Sequence, residues 1–461
     1  MLNESPSSST SIKSMNVTVS SVSTLPNSSC YASCASSELL QVFHSMPTVN
    51  THNDLKDFIT CLSQPLPITF RLRQLNHTHS AHDLSAFLHQ ITNQYHTCIQ
   101  PISLYPSQSI ITFYQSSPTL CKDNLKQLAP DLHHLLHQAS ISGLIARQDV
   151  GSMLPIQVLS TLNYIKLGSK ILDLCASPGS KTMQALEVIT YSMDDMVQKD
   201  GNDKKNKKTT NSISKLGRLI SNDINAQRLL ALQEAVQRSG IPSTLQNRIV
   251  FTNYDASVFP TPTSGKLFDC VLADVPCSGD GTIRKDKTIL PGWMPTIANT
   301  LHSTQLGILK RALELVRVGG IVAYSTCSLN PVENEAVVGA ALDWANQVRP
   351  SISLVTWPDS MLPLLKRRPG ISTWRVAEYD IHSLNHQQAV DNDKDEEANL
   401  IWLESFEKAS MSQDYNHLPP TLWPKQKYKT YSLNNCIRLW PQDQNTGGFF
   451  LAVLCKYDII P

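Results

Sequence analysis

The chain has 461 residues, with 39 lysines and arginines against 38 acidic residues and a formal charge of +1. Its length allows a large core divided over two or more domains, and its charge balance excludes a global positive field, so any nucleic-acid surface has to be local. Eleven cysteines, an odd number without dense spacing, speak against a secreted disulfide scaffold and for a reducing compartment.

In chain order, residues 1–45 are rich in serine and threonine. They carry neither a charged start with an apolar core nor the arginines of a transit peptide, and they read as a disordered tail. No apolar run reaches the roughly 18 residues that span a bilayer, so the protein reads as soluble, with no membrane partner. Residues 46–140 mix short apolar runs with many histidines. Alternation in PITFRLRQLN (67–76) predicts a strand and the spacing of AHDLSAFLHQITNQY (81–95) a helix, together a small α+β domain. His133, His134 and His137 in DLHHLLHQAS have ligand-like spacing but no acidic partner nearby, and read as ordinary surface or interface histidines.

From 141 to 461 the pattern becomes that of an α/β domain. Strands are expected at KILDLC (170–175), GRLISND (217–223), RIVFTN (248–253), FDCVLADV (268–275) and GGIVAYST (319–326). Helical periodicity falls between them, notably at 225–239 and 301–317, the second ending at Gly319 and Gly320 as a helix stop; this alternation predicts a parallel sheet. GGFFLAVLCK (447–456) can add a late strand. Two polar insertions interrupt the domain, a lysine-rich one at about 191–215 and an acidic one at about 385–415. Both read as solvated loops; the lysine run can also serve as an RNA contact or nuclear-import signal.

Three stretches carry chemistry. The first strand runs into LDLCASPGSKT (172–182), a turn of small residues at a helix start, where backbone donors and free space meet as nucleotide-type sites require; it lacks the dinucleotide glycine spacing. Acidic residues then recur at successive strand ends, Asp223, Asp255 and Asp274. A carboxylate after the second strand suits a ribose diol, so together the three favour a nucleoside-bearing cofactor, although each alone also reads as a helix cap. Cys277 in DVPCSGDGT and Cys327 in YSTCSLNP end two further strands, and in a parallel sheet they leave the same edge. Two thiols then meet at one site, against the alternative of two buried structural cysteines. Their separation and the absence of C-x-x-C knuckles disfavour zinc, and no metal is expected.

LDLCASPGSKT, ADVPCSGDGT and YSTCSLNPVENE, in this order, resemble the motif set of the Sun-family RNA cytosine-5 methyltransferases, above all the eukaryotic multisite tRNA subgroup; RQDVGSMLP (147–155) and QNTGGFFLAVL (444–454) extend the likeness. The resemblance implies a Rossmann-like class I methyltransferase sheet with helices on both faces, preceded by a small α+β RNA-binding domain. It implies S-adenosyl-L-methionine held by Cys175, Ala176, Ser177, Pro178, Gly179, Ser180 and Lys181, with Asp223, Asp255 and Asp274 in contact. It makes Cys327 the nucleophile and Cys277 the residue that assists product release, with Asp274 beside the base. An RNA substrate, most of all tRNA, and a nuclear or nucleolar location, with a cytosolic or organellar pool as the alternative, are the accompanying expectations; a monomer is assumed, the sequence giving no oligomeric state. The alternative is a non-catalytic RNA-binding or assembly protein that keeps the fold. Two departures stand out: Ser177 where alanine is more usual, and an end soon after 456 without the long C-terminal extension of larger members, which bears on RNA selectivity rather than chemistry.

The roles suit the chemistry. C5 of cytosine is too weak a nucleophile to take a methyl group until a thiolate adds to C6. Charge driven toward N3 then needs a nearby acid, and the C5 proton has to leave before the sulfur does. Lys181 is a candidate stabiliser of the Cys327 thiolate, since an ordinary thiol ionises only near pH ~8.5.

Overall fold

The computed structural model describes residues 39, 42–43, 45–46, 52–73, 81–102, 112–165, 168–189, 217–239, 243–347, 352–379 and 400–458. The serine- and threonine-rich stretch up to 38, the lysine-rich insertion and the acidic run up to 399 lie outside them.

Ahead of the sheet predicted from the alternating pattern stands a smaller antiparallel one. Strands β1 (Thr69–Leu72), β2 (Ile99–Ile102), β3 (Phe113–Ser116) and β4 (Ile145–Arg147) run in the order β2-β3-β1-β4. Helices α1 (His52–Ser63), α2 (Ala81–Asn93) and α3 (Pro130–Ile141) belong to this part of the chain. Phe70, Phe87, Ile91, Leu132 and Leu136 share one core between the sheet, α2 and α3. On α3 the rings of His133 and His137 stack with centroids 6.1 Å apart.

Among the described residues the main sheet has nine strands: β5 (Lys170–Asp173), β6 (Arg218–Asn222), β7 (Ile249–Thr252), β8 (Phe268–Asp274), β9 (Val316–Thr326), β10 (Ile352–Leu354), β11 (Arg368–Pro369), β14 (Ile437–Leu439) and β15 (Phe449–Lys456). Their order is β11-β14-β15-β9-β8-β5-β6-β7, with β10 also on β15. β7-β6-β5-β8-β9 pair in parallel, and β15 closes them antiparallel through Phe450 opposite Thr326. β12 (Val376–Tyr379) and β13 (Leu400–Leu403) form a separate hairpin-like pair, so the later part of the acidic insertion holds a strand.

Period-two alternation splits the strands between two cores. Leu172, Val271, Ala273, Val322, Tyr324 and Phe450 face one, filled by α7 (Pro295–Leu315) and α8 (Glu335–Ala345). Ile171, Cys270, Leu272, Ile321, Ala323 and Leu451 face the other, filled by α4 (Val150–Thr161), α5 (180–189) and α6 (Ala226–Arg238). Each fully buried Leu or Val there contributes about 2 kcal/mol. The expected α/β sheet with helices on both faces is therefore present.

One expectation changes. The long helix stops at Leu315, not at the glycine pair, because Val316 already adopts extended backbone and pairs with Phe268. Gly319, with φ +73°, lies inside β9 where the β8 register slips, the position a β-bulge assigns to glycine.

The small sheet is tied to the large one by charge. Arg71 of β1, fully buried, pairs with Glu187 of α5, and its Nε donates to Gln148 Oε1 at 2.9 Å. Gln148 in turn donates to Gln184 Oε1 at 2.9 Å. Among the described residues no helix is long and apolar enough to cross a membrane.

Candidate active site

β5 stands between β6 and β8, the point where the strand order reverses, and ligands of open α/β sheets sit there at the carboxyl edge. The turn after β5 is pinned on both sides: Leu174 N donates to Leu272 O at 3.0 Å and Ala176 N to Asn222 O at 2.8 Å. Gly179 has φ +103°, and a Cβ on it would lie 2.1 Å from Leu232 Cδ1, so the turn needs glycine both for its backbone and for its closeness to α6. α5 starts at Ser180, leaving its first amide groups toward the edge.

Ser177 N donates to Asp223 Oδ2 at 3.1 Å, and Asn225 N to Asp223 Oδ1 at 2.8 Å. The turn and the second strand's carboxylate are thus one unit. Arg228 of α6 closes it from behind by donating to Ser177 O at 2.6 Å. Ser177 Oγ is buried without a partner in the protein, which is what a hydroxyl aimed at a ligand looks like before the ligand is counted. Asp255 stands apart: it is exposed and takes Ser257 N and Oγ, both at 2.8 Å, capping a short 3-10 turn. Its contacts are those of the cap reading.

Asp173 was not singled out from the sequence. It is 1 % exposed, accepts from Thr182 Oγ1 at 2.7 Å, and its other oxygen has no partner. Burial pushes its carboxyl up to about 7. Burial likewise raises the Cys175 thiol well above the usual range, reinforced by Asp173, which removes it as a nucleophile.

The two cysteines meet. β8 and β9 are parallel neighbours in a register that sets Asp274 against Ser325, so the turns that follow leave the edge at the same height. Cys277 Sγ and Cys327 Sγ are 3.0 Å apart. Beside them Lys181 Nζ donates to Asp274 Oδ2 at 2.7 Å and Ser325 Oγ to Asp274 Oδ1 at 2.6 Å. Lys181 also donates to Ser152 Oγ at 3.2 Å and lies 5.3 Å from the centroid of the Phe449 ring. The lysine therefore serves Asp274 first. The RQDVGSMLP and GGFF stretches reach the site through Ser152 and Phe449.

Two further carboxyl groups, also missed, lace the cysteine turns together. Glu333 takes Ser278 N at 2.8 Å, Ser278 Oγ at 2.5 Å and Gln305 Nε2 at 2.9 Å. Asp280 takes Leu329 N at 2.6 Å and Ser328 Oγ at 3.1 Å, while Gly281 N donates to Cys327 O at 2.8 Å. Burial and the charge of Glu333 push Asp280 up to about 7. The Cys277 thiol is raised well above its ordinary range, first by its contact with Cys327 and then by burial. Among the described residues no three His, Cys, Asp or Glu side chains gather as a metal site.

Known proteins are similar to this chain in sequence and in fold. The family model of the 16S rRNA methyltransferase RsmB/F matches residues 208–362. The multisite-specific tRNA:(cytosine-C(5))-methyltransferase trm4b of Schizosaccharomyces pombe is 33% identical over 432 residues, 89% of this chain and 57% of the relative. The corresponding multisite-specific enzyme of Saccharomyces cerevisiae is 31% identical over 422 residues, 87% and 53%. The chain thus spans about half the length of the curated relatives it matches. Among solved structures, NSun6 from Pyrococcus horikoshii with SFG superposes with TM-score 0.54 at 15% identity, covering 91% of this chain and 98% of that one. A methyltransferase homolog from the same organism gives 0.50 at 19% identity, covering 88% and 91%. These two likenesses concern the fold.

Proposed function

We propose that this chain, whose residues 208–362 match the family model of the 16S rRNA methyltransferase RsmB/F, methylates C5 of cytosine in RNA, most of all tRNA, using S-adenosyl-L-methionine. The observation that carries this reading is the pair of sulfurs 3.0 Å apart beside the Lys181–Asp274 ion pair.

The residues present fit the cofactor. The orphaned Ser177 hydroxyl, the glycine turn that a Cβ would fill, the Asp223 carboxylate and the amides at the start of α5 form a cradle for an amino-acid-bearing nucleoside. When bound, the cofactor supplies an electrophilic methyl group. Cys327 attacks C6 of a cytosine turned out of its stack, which costs the RNA a few kcal/mol and is easiest in loops or junctions. Asp274, held by Lys181 and Ser325, meets the N3 side of the base; the proton that N3 takes up as Cys327 adds comes through this Lys181–Asp274 pair, whose ammonium offsets the negative charge that addition drives there. Cys277 promotes loss of the C5 proton, directly or through water, after which the C6–S bond breaks and Cys327 is released. The four-stranded sheet ahead of the catalytic part is our candidate for the remaining RNA contact.

Incubation of the protein with methyl-labelled S-adenosyl-L-methionine and unmodified tRNA tests the proposal. Labelled 5-methylcytosine is the expected product; its absence with tRNA and with total RNA rejects the reading.

A further inference from the structure

The two sulfurs are chemically alike, yet the proposed reaction needs one to be the nucleophile and the other not. Their surroundings differ. Cys327 Sγ faces Cys277 Sγ, with Asp274 and Lys181 paired nearby. Cys277 has carboxyl groups behind it from two elements: Asp280 from its own turn, and Glu333 from the loop that precedes α8. From β9 comes Tyr324, buried and donating its hydroxyl to Glu333 O at 2.5 Å, a neutral neighbour. The cation that acts on Asp280, Arg438 of β14, is matched by Glu335, which accepts from its Nε at 2.6 Å. The net charge behind Cys277 is therefore negative.

We propose that Glu333 and Asp280 are positioning residues that decide which sulfur of the pair acts as nucleophile, by locking the Cys277 turn against the Cys327 loop and keeping negative charge on the Cys277 side. This rests on the methyltransferase reading for its purpose but not for its chemistry. Geometry supplies the lock. Glu333, from the Cys327 side, grips Ser278 by backbone and hydroxyl, and Asp280, from the Cys277 side, grips Ser328 and Leu329. The two turns thus hold one another reciprocally, through bonds that are buried at Asp280 and half-buried at Ser278, and the sulfur separation follows from them.

Charge supplies the asymmetry. A pair of thiols in contact gives up one proton more readily than two, because the remaining S–H can donate to the thiolate. An anion on Cys277 would face Glu333 and Asp280, whereas an anion on Cys327 takes the Cys277 hydrogen. The proton stays on Cys277, and Cys327 is the sulfur that attacks. Once Cys327 is bonded to carbon, Cys277 loses its acceptor and the same carboxyl groups make it a stronger base for the release step.

The test labels the thiols and needs no turnover. Full-length protein without RNA is treated with iodoacetamide from about pH 6 to about pH 10, bracketing the ordinary thiol range, and each cysteine peptide is quantified by mass spectrometry. In the wild type Cys327 is expected to react ahead of Cys277. In Glu333→Gln the Cys327 to Cys277 rate ratio is expected to fall about tenfold, the equivalent of about one pKa unit, with the Cys277 titration moving to lower pH. Asp280→Asn is expected to move both quantities the same way and decides the matter if Glu333→Gln fails to fold. An unchanged ratio and midpoint in a folded variant, or Cys277 reacting first in the wild type, overturns the inference. Failure to make 5-methylcytosine would instead reject the functional reading and leave the labelling order intact.

Discussion

Cys277 Sγ lies 3.0 Å from Cys327 Sγ, and the two residues belong to turns that follow parallel, adjacent strands. If one sulfur forms the bond to C6 and the other helps undo it, their removal has opposite consequences. Cys327→Ala should abolish methyl transfer and form no protein–RNA adduct. Cys277→Ala should also lose turnover but accumulate a covalent RNA complex that survives denaturing electrophoresis. The reverse pattern would exchange the two roles.

The same closeness makes the pair open to oxidation. One equivalent of hydrogen peroxide converts two thiols to a disulfide and two waters, through a sulfenic acid on the more reactive sulfur. Mild peroxide should inactivate the wild type reversibly, with dithiothreitol restoring activity, and mass spectrometry should show a loss of two hydrogens on the Cys277–Cys327 peptide pair. Recovery of both thiols free after complete inactivation would show that another residue is the target.

Gly179→Ala tests the cofactor turn. The φ of +103° and a Cβ position 2.1 Å from Leu232 Cδ1 leave no unstrained place for a methyl group. The left-handed backbone alone costs about 1 to 2 kcal/mol. We expect a fall in Tm of several degrees together with a weakening of S-adenosyl-L-methionine binding by calorimetry. A variant with unchanged Tm and affinity would show that the turn is softer than its geometry.

His302 predicts a pH dependence of stability. It is fully buried on α7, with Nδ1 2.7 Å from Val332 O and Nε2 2.8 Å from Thr421 Oγ1, and burial lowers its pKa to about 4. The neutral ring donates to the carbonyl and accepts from the threonine. In the unfolded chain the ring ionises near pH ~6.5, so between the two values the unfolded state binds the extra proton. This contribution is complete above the unfolded value and is lost as pH falls toward about 4. It amounts to about 3 kcal/mol. Denaturant unfolding at neutral and acid pH should show it, and His302→Gln should flatten that part of the slope while lowering stability at neutral pH.

Much of the candidate site's edge was legible in the chain. The runs containing Leu172, Val271 and Val322 have the apolar pattern of strands covered on both faces, and the residues that follow each of them arrive at one edge by the rule of parallel sheets. Cys277 and Cys327 could be paired on that ground although 50 positions separate them. Asp223 was singled out by its place after the second strand, and it accepts from the amide of Ser177 in the glycine turn. Asp255 shows the limit of such placement, since the same strand-end position serves a cap.

What escaped were residues whose partners lie across the fold. Glu333 and Asp280 look like ordinary loop acids until the Cys277 and Cys327 turns interlock. Asp173 looks like part of a strand until its burial is known. Arg71 and Glu187 pair across 116 positions, a contact no local pattern encodes. The glycine pair at 319–320 misled because a helix stop and a β-bulge draw on the same tolerance for positive φ.

Read along the chain, the runs of β5 to β9 with helices between them, the late strand β15 and the edge where Cys277 and Cys327 emerge were visible, because side-chain period and turn composition are local properties; β2 to β4 and β10 to β14 were not expected. Which sulfur has carboxylates behind it, that Lys181 is held by Asp274, and that the small sheet is locked to the large one through a buried arginine became visible once the chain was folded. Those are matters of burial and charge at a few ångströms between residues far apart along the chain.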